Sequence, residues 1–350
     1  MKTRGSPWRR WVLAGCTLLL SLSTLQAGAA TPPRAESSPS AQVQALQRAG
    51  DAVVALRVTA TEGATSAESL GQRRVGSGVV IGPDGLILTI GYLLLEAETI
   101  EVITQDDRTL PARQVAYDLA TGFGLLQPLV PLRGIEPVPM ANVAALTPGE
   151  PLLVATGSNS GTEVGFTRLV GTRPFSGYWE YHIEAAVFTS PPVANHSGAS
   201  LFNRNGELVG VGSLFVMEAA GADRMLPGNM FVPVELLGPV LAEMRSTGRT
   251  RASIRPWLGV SSSERDGHVQ IVRVDRAGPA LAAGLRPGDV VLAINGIEIT
   301  TLEAFYKQLW TLPTPDAEVE LTVQQGEESP RKVRVQAMDR MKTLRKPAGI

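Results

Sequence analysis

The chain has 350 residues, with 32 basic and 33 acidic side chains and a net charge of −1. That length allows two or three domains with full hydrophobic cores. The near-balanced charge leaves no electrostatic footprint for nucleic acid or for an acidic membrane surface.

Residues 1–29 read as a secretory signal peptide. Lys2, Arg4, Arg9 and Arg10 make a basic start, "WVLAGCTLLLSLSTL" an apolar core, and Ala27-Gly28-Ala29 a small-residue cleavage site. The apolar run is short for a bilayer span. Export to the periplasm or beyond is therefore expected. "LAGC" (residues 13–16) offers a competing reading, a lipid anchor on Cys16, but most of the apolar run follows the cysteine, which is the wrong order. Cys16 is the only cysteine. Cleavage after Ala29 removes disulfide, thiol and cysteine–metal chemistry with it. His182, His196 and His268 are too scattered along the sequence to suggest a metal cluster. No metal and no cofactor is expected.

Residues 30–45, rich in Pro, Ser and Ala, read as a flexible linker. From 46 to 247 come short apolar runs broken by turn signals, among them "AVVALRV" (52–58), "GVVIGPDGLILTI" (78–90), "PLLVATG" (151–157) and "GELVGVGSLFV" (206–216). Pro83-Asp84-Gly85 and Asn205-Gly206 suit hairpin turns. Such a series predicts a mainly β domain, a barrel or a sandwich. One helix is predicted over 234–248, closed by Gly248.

After a linker over 248–255 the pattern changes. "PWLGV" (256–260) and "HVQIVRV" (268–274) predict strands. "TLEAFYKQLWTL" (301–312) has helical spacing, with Leu302, Phe305, Leu309 and Leu312 on one side. Segments 318–326 and 331–338 predict a closing hairpin, and 339–350 a disordered basic tail.

"GPALAAGLRPGDVVLAING" (278–296) resembles the pattern of a PDZ domain, here 256–338, in the permuted form of bacterial proteases. The resemblance implies a small α+β domain that holds a peptide's C-terminal carboxylate on loop N–H groups while the peptide adds a strand to the sheet. By resemblance the loop is Trp257, Leu258, Gly259 and Val260. Gly259 supports this, because glycine lets a ligand backbone approach closely.

The preceding module, 46–247, then resembles the trypsin-like domain of the HtrA (high-temperature requirement) serine proteases. "GSGVVIGPDGLILT" (76–89) and "SGASLFNRNGELVGVGS" (197–213) carry the likeness. It implies a double six-stranded β-barrel with a catalytic Ser–His–Asp triad. Only one triad position is kept. Ser197 occupies the nucleophile position, Tyr92 stands where the histidine belongs, and Gly122 where the aspartate belongs. Asp118, four residues away, matches a loop-shaping aspartate instead. The resemblance places the oxyanion hole at the backbone N–H groups of Asn195 and Ser197.

A serine needs a base to become nucleophilic. Residues 30–250 contain no lysine, which excludes a Ser–Lys dyad within the domain. His182 and His196 are the two imidazoles that could substitute. The expectation is a pseudoprotease that binds protein C-termini or unfolded polypeptides; the alternative is a weak serine endopeptidase using Ser197. A third possibility is a subunit that tunes an active HtrA relative. Homo-oligomerisation is possible, but no aromatic residue occurs between Ala30 and Gly91, where relatives use aromatics to trimerise. The cluster Tyr178-Trp179-Glu180-Tyr181 reads as an edge-strand packing patch or a groove lining, with packing favoured.

Overall fold

The computed structural model of the protein describes residues 38–158, 161–222 and 224–345. The expected signal peptide, its cleavage site and Cys16 lie outside the described residues.

Two closed six-stranded barrels come first. One holds β1 (Val53–Ala60), β2 (Arg73–Val80), β3 (Ile87–Ile90), β4 (Ala97–Ile103), β5 (Thr109–Tyr117) and β6 (Phe123–Pro128), in the order β1-β2-β3-β6-β5-β4. The other holds β7 (Pro151–Ser158), β8 (Gly161–Gly177), β9 (Tyr181–Ser190), β10 (Ser200–Phe202), β11 (Leu208–Val216) and β12 (Gly228–Pro233), in the order β10-β11-β12-β9-β8-β7. Closure leaves no unpaired sheet edge. Leu56, Val58, Ile87 and Phe123 of the first barrel share one buried cluster with Phe188, Phe202 and Val232 of the second. The barrels therefore meet through a common core, and loops at their junction are held from both sides.

Helices fill few places. α1 (Pro39–Asp51) precedes β1, α2 (Ala67–Leu70) lies between β1 and β2, and α3 (Leu241–Thr247) follows β12. α1 corrects the expected linker over 30–45: from Pro39 the chain is already helical. Ser38 caps it by accepting from the Ala41 N–H at 3.3 Å, and proline suits its first turn. The helix expected over 234–248 is shorter. A 3-10 turn at Val234–Leu236 precedes α3, and Pro239, which lacks an N–H, lies between them. Gly248 ends α3 as expected, in a left-handed cap.

The C-terminal module has β13 (Pro256–Trp257), β14 (Val260–Arg265), β15 (His268–Val274), α4 (Pro279–Ala282), β16 (Asp289–Ile294), β17 (Ile297–Glu298), α5 (Leu302–Leu309), β18 (Glu318–Gln325), β19 (Arg331–Gln336) and β20 (Met338–Asp339). Its main sheet runs β14-β15-β16-β18-β19, so β14 is an edge strand. Leu302, Phe305 and Leu309 of α5 are buried against it, as their spacing predicts.

Two expected loose segments are anchored. The linker over 248–255 contains a 3-10 turn, Arg251–Ser253, tied to the first barrel through Asp118. The Asp118 carboxylate accepts from the Thr121 N–H (2.9 Å), the Thr121 hydroxyl (2.6 Å), the Thr250 hydroxyl (2.5 Å) and the Ser253 hydroxyl. The tail over 339–350 is not free either. β20 pairs with β13, and the Arg345 N–H donates to Glu96 at 2.8 Å. Residues 346–350 lie outside the described residues.

Burial alone raises an acid, but the donors from Ser253, Thr121 and Thr250 outweigh it and hold Asp118 below its ordinary value of 3.8. Asp118→Ala strands four donors and is expected to cost about 3 kcal/mol of stability. Thermal unfolding against pH checks this. A depressed acid stabilises fully above its ordinary value and loses that contribution as pH falls through its folded value. The gap in Tm between wild type and variant should therefore be open at neutral pH and close in acid below the ordinary value.

Candidate functional site

The junction of the two barrels presents Ser197. Its loop joins β9 to β10 in the second barrel, but the Ser77 N–H on β2 donates to the Ser197 carbonyl at 2.9 Å. Thr89 on β3 in turn donates to the Ser77 carbonyl at 2.7 Å. Tyr92 enters from a 3-10 turn, Gly91–Leu94, directly after β3. Sequence positions 105 residues apart thus become neighbours.

Tyr92 Oη lies 2.7 Å from Ser197 Oγ and 2.9 Å from the Ser213 carbonyl oxygen. The phenol has one proton and a carbonyl can only accept. The phenol proton therefore serves Ser213, and the Ser197 hydroxyl can donate to the phenolic oxygen. Burial pushes the phenol up to about 12, against a smaller opposing effect of the Ser197 hydrogen bond. At pH 7 its phenolate is then populated at ~10⁻⁵, which takes about 7 kcal/mol to reach. Tyr92 orients Ser197 but cannot act as its base at neutral pH.

The aspartate position is closed as well. Gly122 has φ +84°, and a Cβ there would lie 2.8 Å from the Tyr181 hydroxyl. That hydroxyl donates to the Thr121 carbonyl at 2.6 Å, so it is fixed in place. The positive φ and the neighbouring ring both disfavour a side chain at this position.

Neither histidine replaces the missing base. His182 Nδ1 bonds Ser176 at 2.9 Å, and its Nε2 lies 3.5 Å from Glu184. His196 Nδ1 bonds the Ala194 carbonyl at 3.0 Å, and burial lowers its pKa. Among the described residues, Tyr92 is the only side chain within hydrogen-bond distance of Ser197 Oγ. His182, Glu184 and Glu303 bring possible ligand atoms within 4.8 Å of one another. Lys307 Nζ, however, lies 2.7 Å from each of the two carboxylates and already supplies them with a cation.

The bonds around Ser197 pass through its neighbours. Gly198 N–H donates to Gly212 O at 2.9 Å, and Ala199 N–H to His196 O at 3.1 Å. The N–H groups of Asn195 and Ser197 have no acceptor among the described residues.

At residues 257–260 the N–H groups of Leu258, Gly259 and Val260 converge on one point. The Glu180 carboxylate occupies it, accepting at 3.0, 2.8 and 3.0 Å. Trp257 adds no N–H to this cluster; it is buried and pairs with Met338. The expected reason for Gly259 is also corrected. At φ +79° a Cβ would lie 2.7 Å from the Gly278 Cα, so packing within the module requires the glycine.

Residues 76–211 match the trypsin-like peptidase domain family, and 256–336 match the PDZ domain family. The chain joins a trypsin-like peptidase domain to a PDZ domain. Among curated relatives, probable periplasmic serine endoproteases described as DegP-like from Hahella chejuensis and Marinomonas sp. are 29% and 30% identical. The matches cover 64% and 65% of this chain but 49% and 50% of those proteins. The chain spans about half the length of the curated relatives it matches. Solved structures share the fold. The HtrA-type protease AlgW with a decapeptide has TM-score 0.52 at 20% identity, covering 87% of this chain and 99% of that one. A serine endoprotease from Yersinia pestis has TM-score 0.51 at 23% identity, covering 86% and 99%.

Where the resemblance expects a base and an acid, the chain carries Tyr92 and Gly122, and Gly122 faces the Tyr181 hydroxyl. Tyr92→His supplies an imidazole with no carboxylate behind it. Such a dyad is expected to cleave peptides about 10⁴-fold more slowly than a full triad. Adding Gly122→Asp forces a side chain into a positive φ and against Tyr181, so it should lower Tm without raising the rate. Efficient, Ser197-dependent turnover by the double variant, measured on a chromogenic peptide, contradicts this geometry.

Proposed function

We propose that this chain is an exported pseudoprotease of the HtrA architecture. It binds protein C-termini or unfolded segments through its PDZ domain and its peptidase-domain surface, as an adaptor, holder or regulator. The observation that carries the reading is the phenol at Ser197. A base must take the serine proton, and the one side chain in reach is a neutral tyrosine. A periplasmic location is supported by the relatives, which are described as periplasmic, and by the signal-peptide pattern of residues 1–29.

A specific observation favours a second reading. Ser197 is retained, with the Asn195 and Ser197 N–H groups unpaired among the described residues. An oxyanion hole without a base still gives a residual rate over water. In that reading the chain is a very slow serine endopeptidase.

Incubation of the mature protein with a fluorophosphonate probe and with unfolded casein separates the two. The pseudoprotease reading predicts no labelling of Ser197 and no fragments beyond those seen with Ser197→Ala. Labelling and cleavage that disappear in Ser197→Ala contradict it and establish the enzyme.

A further inference from the structure

The PDZ groove is already filled, and by this chain. β8 and β9 form a long hairpin whose last pair is Gly177–Tyr181. Its tip reaches the edge strand β14. The Ser262 N–H donates to the Tyr178 carbonyl at 2.8 Å, two residues after Val260 donates to Glu180. On a strand, N–H groups two residues apart face the same edge. The hairpin tip runs the other way, with its carbonyl at 178 and its carboxylate at 180. It therefore adds to β14 as a short antiparallel segment. From the other wall, the Tyr306 hydroxyl on α5 donates to the Gly177 carbonyl at 2.8 Å.

Glu180 completes the imitation. Its backbone is left-handed, φ +57°, which costs a non-glycine residue energy. The gain is a buried carboxylate on three converging N–H groups, 3% exposed as a residue. That is the chemistry that recognises a chain terminus, supplied by a side chain instead.

We infer that Gly177–Glu180 is a tethered internal ligand of the PDZ domain, and that a free C-terminal carboxylate binds only by displacing Glu180. This rests on the reading of the domain as a binder of C-termini. Displacement is feasible because the seat is not deep in energy. Burial pushes the Glu180 carboxyl up to about 7, outweighing the N–H donors of Val260, Leu258 and Gly259. Outside the groove, the hairpin is held by the buried Tyr181–Thr121 hydrogen bond at 2.6 Å and by the exposed Lys307–Glu184 ion pair at 2.7 Å, which is weak in water. The same tip carries Tyr181, whose hydroxyl faces Gly122. An incoming C-terminus therefore pulls on the segment that shapes the peptidase site.

The test uses the mature full chain and fluorescence anisotropy. The probe is a fluorescein-labelled heptapeptide, Pro-Phe-Ser-Gly-Tyr-Trp-Val, which copies residues 174–179 and puts a main-chain carboxylate at position 180. Its C-terminal amide is the control. Glu180→Gln keeps size and removes charge, so it should bind the acid at least tenfold more tightly than wild type. The amide should bind poorly to both. Glu184→Gln loosens the hairpin from outside the groove and is too exposed to threaten the fold; it should shift affinity the same way by about twofold. Equal acid binding by wild type and both variants overturns the internal ligand and leaves the C-terminus reading standing. No acid binding by any of them, with Tm unchanged, overturns both.

Discussion

The tip of the β8–β9 hairpin is the constraint on which both candidate sites depend. Over five residues it places a tyrosine against Gly122, an indole stacked on that tyrosine at 5.4 Å, and a carboxylate on the PDZ loop. Here it is pinned from both sides, by backbone donors of β14 and by the Thr121 carbonyl. This stretch is one of several ties between the two domains, beside the Asp118–Ser253 and Glu96–Arg345 hydrogen bonds.

The side chains around Ser197 satisfy one another. The Tyr92 phenol fills the place of an imidazole and satisfies the Ser213 carbonyl. Gly122 removes the carboxylate that an imidazolium would have needed, and Tyr181 takes up the space. No buried charge is left without a partner, which would be costly. Asp118 remains ionised because its work is structural, joining the Gly122 turn to the interdomain segment.

Much of this was legible in the residues. The strands around Ser197 and Tyr92 lie in local motifs, so position along the motif identifies the missing base and acid. The PDZ loop was legible for the same reason. The hairpin tip was not. Tyr178-Trp179-Glu180-Tyr181 looks like packing because strand patterns say which face is buried, not which distant edge it meets. Glu180 acts as a chain terminus only after a fold has brought residues 78–80 positions apart together. An acid between aromatics at a strand end was the available signal. The tail differs from its expectation for a related reason: polar composition suggests freedom, yet Asp339 is buried against Arg249, a partner that sequence does not place.

The central claim is that Ser197 has no base at neutral pH. The rate at which a small phosphonylating agent modifies Ser197 should be followed from pH 5 to pH 10. The account predicts a rate near background across this whole range, because burial pushes the Tyr92 phenol up to about 12. A rise with an apparent pKa near that of an imidazole, about 6.5, contradicts it and means that a histidine reaches the serine.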